Sequence, residues 1–197
     1  GGRQRQFEIE AYAMDGNEKQ LMVYRKPARV RGEKILMLNG GDDIWSYSPK
    51  TGRVRHIATH MLNANVMGSD FAYQDFAAGE YETRFAMSID GEEKVDGVQC
   101  YRATMIPTDE GPSYKKMVGW FAKEDYIPRK MEYYDEDGLL KVLTITEVKT
   151  IGGRPTPWRY VMKNEREGGE TVIETIEVDY ETKPPESLFT QQGLKRG

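Results

Sequence analysis

The sequence has one cysteine, two histidines and no long apolar run, and each scarcity excludes a class of protein. Among the 197 residues, Cys100 alone can form neither an internal disulfide nor a multi-thiolate metal site. Its surroundings, VQCYRATMI, alternate in polarity, and this pattern predicts a small buried side chain. No window approaches the roughly 20 consecutive apolar residues that a membrane-spanning helix needs.

Positive charge is also sparse and dispersed. The chain has 28 Lys and Arg against 32 Asp and Glu, for a formal net charge of −4, and no basic block stands apart from the acids. Nucleic-acid-binding proteins concentrate Lys and Arg on one face to neutralise phosphates, so a nucleic-acid partner is not expected.

Recognisable catalytic and metal-binding motifs are missing. His56 and His60 have the i, i+4 spacing that suits a metal on a helix, but GRVRHIA is typical of the end of a strand. No G-x-S-x-G elbow occurs, and NGGDD (39–43) lacks the Lys-Ser/Thr of a phosphate loop and predicts a turn between strands. The sequence therefore predicts a protein that is not an enzyme and has no metal and no cofactor.

What the sequence does have is alternation of period two. In EYETRFAMSI (80–89) alternate residues share one face, Tyr81, Thr83, Phe85, Met87 and Ile89, which places this face of a strand on a core. About ten runs of this kind predict strands: RQFEIEAYA, KQLMVYR, EKILML, EYETRFAMSI, VQCYRATMI, KKMVGWFA, RKMEYYD, LLKVLTITEV, WRYVMK and ETVIETIEVDY.

The segments between these runs have the composition of tight turns. DG occurs at 15–16, 90–91, 96–97 and 137–138, GG at 152–153 and 168–169, and SPKTG (48–52) predicts a longer turn. Strands joined by short turns predict an antiparallel meander rather than a parallel sheet. Helix is expected only from Ser69 or Asp70 through Phe76, and as a short turn in PPESLFT.

Large apolar side chains exceed what a sheet with one buried face requires. The chain has 10 Met, 12 Tyr, 6 Phe and 3 Trp, and the runs ILML, MVGWFA and LLKVLTI are apolar on both faces. An ordinary core uses the same residues. A curved sheet around an interior helix or a ligand cavity would also require apolar residues on both faces.

Several motifs in order resemble one known family. DDIWSYSPKTGRVRHI, MGSDFAYQDF, VDGVQCY, VGWFAKEDYIPRKMEYYDEDGLLKVLTITEV and ESLFTQQGLKR occur in this order. In the order, spacing and sequence of these motifs the chain, from about Arg3 to Arg196, resembles the LolA-like outer-membrane lipoprotein-sorting proteins of the LolA/LolB/RseB-like superfamily.

The resemblance implies a mainly β fold, in which a curved antiparallel sheet forms an unclosed half β-barrel with short helices on its concave side. It implies one LolA-like domain over residues 1–197, without a signal peptide and a further N-terminal segment that family members usually carry. It also implies a periplasmic location, binding of the acyl chain of a lipid or lipoprotein, and a role beside an envelope membrane transporter.

In such a fold MGSDFAYQDF (67–76) would cross the concave face, either as a plug that only fills the core or as a lid that responds to ligand. The predicted ligand-binding residues are Trp45, Met67, Phe71, Tyr73, Phe76, Trp120 and Phe121. Two functions remain open at this point. One is a carrier that shields an acyl chain, and the other is an interaction module that docks on an envelope membrane protein such as an efflux-type transporter through a sheet edge.

Overall fold

A computed structural model of the chain describes residues 4–76, 84–108 and 114–196. These residues fall into two compact units, with residues 1–64, 73–80 and 181–197 in unit 1 and residues 65–72 and 81–180 in unit 2. Each unit is built on one antiparallel sheet. The prediction of a single LolA-like domain is not tested by this division and stays a prediction.

Unit 1 contains a five-stranded meander in which every neighbour along the chain is also a neighbour in the sheet. Its strands are β1 (Glu8–Met14), β2 (Lys19–Lys26), β3 (Lys34–Leu38), β4 (Asp43–Ser48) and β5 (Arg53–His56). The described residues of the unit include two short α-helices, α1 (Tyr73–Phe76) and α2 (Gln191–Lys195).

Unit 2 contains a seven-stranded meander that runs in the order β12-β11-β10-β9-β8-β7-β6. Its strands are β6 (Phe85–Val95), β7 (Val98–Pro107), β8 (Lys116–Ala122), β9 (Pro128–Asp135), β10 (Gly138–Ile151), β11 (Arg154–Asn164) and β12 (Glu170–Glu174). Neither sheet closes on itself among the described strands, so the predicted mainly β, antiparallel and unclosed architecture is confirmed.

The number and division of the strands differ from the prediction. Roughly ten strands in one sheet were expected, and the described residues form twelve in two sheets. The two strands outside the ten runs, β4 and β5, flank the SPKTG turn, and β5 ends at His56, where GRVRHIA predicts the end of a strand. They are short, and the polar residues in RVRH and DIWSYS hide their alternation. Residues 80–83, at the start of the run EYETRFAMSI, lie outside the described residues, and β6 begins at Phe85.

One of the predicted turns is wrong. The DG at 90–91 does not end a strand, because β6 continues to Val95 and the hairpin turns at Asp96–Gly97, where both φ angles are positive. At Asp90–Gly91 the register shifts instead, which is a β-bulge. Asp90 accepts hydrogen bonds from Arg102 and Thr104 on β7, and these bonds hold its side chain against the sheet.

The predicted helix in MGSDFAYQDF is shorter than expected. Only Tyr73–Phe76 is helical, and Ser69 and Asp70 do not cap it. Residues 65–72 form a tight turn instead, in which Val66 N–H donates to the Phe71 carbonyl and Asn65 bridges Ala72. Met67 and Gly68 at its tip have positive φ angles. The turn in PPESLFT is present as a 3-10 turn at Glu186–Leu188, and α2 follows it.

One face of the five-stranded sheet packs on the C-terminal helix. Leu194 of α2 and Phe189 are buried with Leu21, Val23 and Leu36. The Thr190 hydroxyl accepts a hydrogen bond from Gly193 N–H and caps the helix. The helix is too short to be stable alone, so this apolar contact must hold it in place.

We therefore expect Leu194→Ala to lower the free energy of unfolding by about 2–5 kcal/mol, since Leu194 is 0% exposed and its removal leaves a cavity. The matched control is Gln192→Ala on the same helix, where the side chain is exposed and the change should cost less than about 0.5 kcal/mol. Urea denaturation followed by tryptophan fluorescence measures both. Equal losses for the two variants would contradict the packing of α2 on the sheet.

Candidate functional site

One face of the seven-stranded sheet is rich in methionine. Strand pairing puts directly opposite side chains on the same face, so the register identifies its members. One row across the strands contains Met87, Met105, Met117, Tyr133, Lys141 and Asn164, and a second contains Ile89, Ala103, Gly119, Met131, Leu143, Met162 and Thr171. Five of the ten methionines of the chain lie here, and we call this surface the methionine face.

The centre of the methionine face has a close aromatic contact. Gly119 lies between Ala103 and Met131, and the Phe121 ring lies over it. A Cβ at Gly119 would be 2.5 Å from Phe121 Cε2 and 2.8 Å from Met131 Sδ. Only glycine leaves room for the ring at this point of the strand.

A buried lysine lies in the first row. Lys141 is 3% exposed, and its Nζ lies 5.2 Å and 5.5 Å from the ring centres of Tyr114 and Tyr133. The same Nζ is 3.4 Å from the Asp70 carbonyl oxygen. The ammonium therefore meets the turn of residues 65–72 next to two aromatic rings, where cation–π attraction offsets part of its desolvation cost.

The 65–72 turn is bonded to the end of the second row. Asp70 N–H donates to Thr171 Oγ1 at 2.8 Å, and the Thr171 hydroxyl donates to Asp70 Oδ2 at 2.6 Å. Gly169 accommodates the carboxylate, because a Cβ there would lie 3.1 Å from Asp70 Cγ. Phe71 is 5% exposed and Ala72 is buried beside this contact. We call the contact the Asp70 latch.

The structure separates the residues predicted to bind ligand. Met67 and Phe71 belong to unit 2, and Phe121 is a member of the methionine face. Trp120, its neighbour on β8, points to the opposite face, since adjacent strand residues alternate. There Trp120 is buried with Cys100, Val118 and Ala122, and its Nε1 donates to Glu93 at 2.8 Å. Burial raises the pKa of the Cys100 thiol in this cluster.

The remaining three predicted residues belong to unit 1. Trp45 lies on the face of the five-stranded sheet that packs on α2, with its ring 4.7 Å from that of His56. Phe76 contacts the other face, where its carbonyl accepts from Gln20 Nε2 at 2.9 Å. Tyr73 is near Tyr24, whose pKa is raised to about 12 by burial and by this neighbouring phenol.

Sequence reasoning missed the methionine face as a surface, although the alternation of β7, β8 and β9 contained the signal. It also missed Lys141, Asp70 and Thr171. Nothing in the sequence connects Asp70 with Thr171, 101 residues away.

A half-open cleft of about 570 Å³ lies elsewhere in unit 2 and is polar. Its lining includes Asp96, Glu124, Glu147 and the ion pair of Arg129 with Asp125, in which Nη2 lies 2.7 Å from Oδ2. None of the seven predicted residues lines it. Within the described ranges no group of three His, Cys, Asp or Glu is placed to hold a metal ion, and no helix is long and apolar enough to cross a membrane.

Comparison with known proteins identifies the family. A family model described as "Uncharacterized protein" matches residues 16–196. The chain belongs to this family. Its fold is LolA-like, as the solved structures below show. The comparison with curated proteins finds no match.

Two solved structures are similar over nearly the whole chain. One is a domain assigned by name to the outer membrane lipoprotein-sorting proteins, from Vibrio parahaemolyticus, with 28% identity, a TM-score of 0.87, and coverage of 96% of this chain and 84% of that one. The other is a DUF1329 family protein from Desulfovibrio piger, with 27% identity, a TM-score of 0.86 and coverage of 95% and 82%.

A third solved structure has the same fold. A LolA superfamily protein from Nitrosomonas europaea has 22% identity, a TM-score of 0.72 and coverage of 95% of this chain and 82% of that one. At this identity the likeness concerns the fold alone. The predicted LolA-like fold is thereby confirmed.

The contact of Phe121 with Gly119 gives a prediction for this LolA-like chain. Gly119→Ala should lower the free energy of unfolding by about 1–3 kcal/mol, because the methyl group must displace the ring. In a Phe121→Leu background the same substitution should cost at least about 0.5 kcal/mol less, which a double-mutant cycle by urea denaturation measures. Additive costs would show that the ring does not cause the restriction.

Proposed function

We propose that the protein binds the acyl chain of a lipid or lipoprotein on the methionine face, and that it carries or shields this chain without covalent chemistry. The observation that carries the proposal is the concentration of five methionines on one sheet face, with the Phe121 ring at its centre. Methionine is unbranched and polarisable, so a surface of this kind adapts to chains of different length and saturation.

Apolar area would supply the affinity. Burial of one methylene contributes about 0.8 kcal/mol, so about a dozen methylenes offset the entropy lost on binding and leave micromolar affinity or better. No acid, base or nucleophile is required for this role, which is why we propose binding rather than catalysis. Lys141, at 3% exposure, is the charged member of the face.

The 65–72 turn would serve as a lid over the binding surface. Two hydrogen bonds between Asp70 and Thr171 form the latch, and the tip of the turn has two residues with positive φ. An acyl chain that enters along the methionine face would break the Asp70 latch. The latch contributes little free energy compared with the apolar area that the acyl chain would bury. If the turn is only a plug, the latch adds stability and has no effect on binding.

The names of the relatives support a location in the cell envelope. A neighbour that shares 28% of its residues is assigned to outer membrane lipoprotein sorting, and another belongs by name to the LolA superfamily. From these names we propose that this chain also has a periplasmic location and an acyl-chain ligand. An envelope membrane transporter remains the protein partner that we propose.

The first test measures binding against chain length. Saturated fatty acids of 8 to 18 carbons should bind with affinity that rises up to about fourfold per added methylene until the face is filled, and that changes little between 50 and 500 mM salt. Isothermal titration with delipidated protein gives both dependences. Mass spectrometry of a denaturing lipid extract shows whether purified protein already holds a chain.

A pair of variants assigns this binding to the methionine face. Phe121→Ala should weaken it at least roughly threefold, since the ring loses its contact area. Tyr134→Ala, at a half-buried aromatic on the opposite face of the adjacent strand, should leave it unchanged. An affinity that does not depend on chain length, or equal effects of the two variants, would favour an interaction module whose core binds no ligand.

The second test concerns the latch. Thr171→Val removes the hydroxyl that both donates to and accepts from Asp70, so the free energy of unfolding should fall by about 1–3 kcal/mol. If the turn is a lid, the affinity for a fatty acid should rise at least about threefold, because less latch energy must be overcome. Thr144→Val on the opposite face of β10 is the matched control. A stability loss with unchanged affinity would make the turn a plug.

A further inference from the structure

Strand β6 forms an open edge of the seven-stranded sheet. It pairs with β7 on one side, and no described strand pairs with its other side. Residues 86–94 are all exposed, and Met87 and Ile89 on the methionine face are 54% and 68% exposed. Its backbone N–H and C=O groups on that side are available to another strand.

The acidic residues of β6 do not block this edge. Asp90 and Glu93 are bonded inward, to Arg102 and Trp120 on the neighbouring strands. Glu92 forms an ion pair with Lys123, again toward the sheet. The segment from Phe85 to Ile89 has no acid or base at all. Natural edge strands are commonly protected by outward charges or proline, and this half of β6 has neither.

We propose that β6 pairs antiparallel with β6 of a second copy of the chain, centred on Met87. In this register Met87 faces Met87 of the second copy, and Phe85 faces Ile89 of the second copy. The apolar segment Phe85–Ile89 is thus complementary to itself, which favours a second copy over an unrelated partner.

Other registers are less favourable. A two-fold pair must be centred on a residue, because directly opposite side chains share a face. A pair centred on Asp90 opposes two carboxylates. A pair centred on Ser88 puts Phe85 opposite Gly91 and therefore reaches across the bulge at Asp90–Gly91. The Met87 register ends before the bulge.

The other edge of the same sheet, strand β12, has charged residues that oppose self-pairing. Strand β12 has Glu170 and Glu174 at its two ends, so self-pairing centred on Val172 would oppose acid with acid. Glu170 is also engaged with Lys163 at 3.8 Å. Because acids would oppose each other at β12 but not at the apolar half of β6, a second copy would assemble on β6. Val172 on β12 is therefore a matched control position.

The interface is small. Pairing of about five residues per copy buries less than the roughly 1,200–2,000 Å² of a standard stable interface, so the dimer should be reversible and concentration-dependent. Met87 and Ile89 would become buried, which extends the methionine face from one copy to the next. This proposal does not depend on the proposed ligand and can fail or stand without it.

Cysteine cross-linking tests the register. Opposite Cβ atoms in an antiparallel pair are about 4.5–5.5 Å apart, close to the span of a disulfide. Met87→Cys should therefore cross-link to itself under mild oxidation, whereas Ala86→Cys and Ser88→Cys should cross-link when mixed and much less alone. Wild type is the control for Cys100, which is buried. Self-linking of Ser88→Cys without that of Met87→Cys would overturn the register.

Sedimentation equilibrium tests the dimer without cross-linking. The average mass of the full chain should rise toward twice the monomer mass between about 1 and 500 μM. Ile89→Lys, which places a charge opposite Phe85, should raise the dimer dissociation constant at least about tenfold, and Val172→Lys should not. A chain that stays monomeric to about 500 μM, or equal effects of the two variants, would overturn the proposal.

Discussion

Strand β8 has apolar side chains on both faces, and the need to bury both organises unit 2. Val118 and Trp120 point one way, and Met117 and Phe121 point the other. An exposed strand of this composition would lose the largest favourable term in folding. Strands β7 and β9 flank it, so β8 lies centrally among the paired strands of its sheet.

The two faces of the seven-stranded sheet are covered by different kinds of groups. Around Trp120 the cover includes long basic side chains, with Lys130 Nζ 4.5 Å and Arg102 Cζ 5.7 Å from its ring. Such residues bury their aliphatic stems while their charges reach water. At the end of the methionine face the cover is polypeptide, held by the Asp70 latch. A turn of polypeptide can move away as a unit, whereas separate side-chain stems cannot, and this difference motivates the proposed lid.

The two edge strands of the seven-stranded sheet differ in how their acidic residues are placed. One end has a short strand with acids at both termini, and the other has a strand of 11 residues whose acids are all directed inward. The bulge at Asp90–Gly91 divides that long strand into an apolar half and a charged half. The proposed self-pairing uses the apolar half, which ends where the bulge begins.

The sequence by itself determined the strands, most of the turns and the antiparallel order, because these depend on period-two alternation and on residues that accept positive φ. It also determined that Trp120 and Phe121 occupy opposite faces, since they are adjacent on one strand, although the two had been grouped in one site. Tertiary structure alone decided that Asp90–Gly91 is a bulge and that Ser69 and Asp70 do not start a helix. In both cases an aspartate accepts hydrogen bonds from a distant or cross-strand partner, Arg102 and Thr104 for one and Thr171 for the other. Local propensity cannot include such a partner, because only the folded sheets bring it within bonding distance.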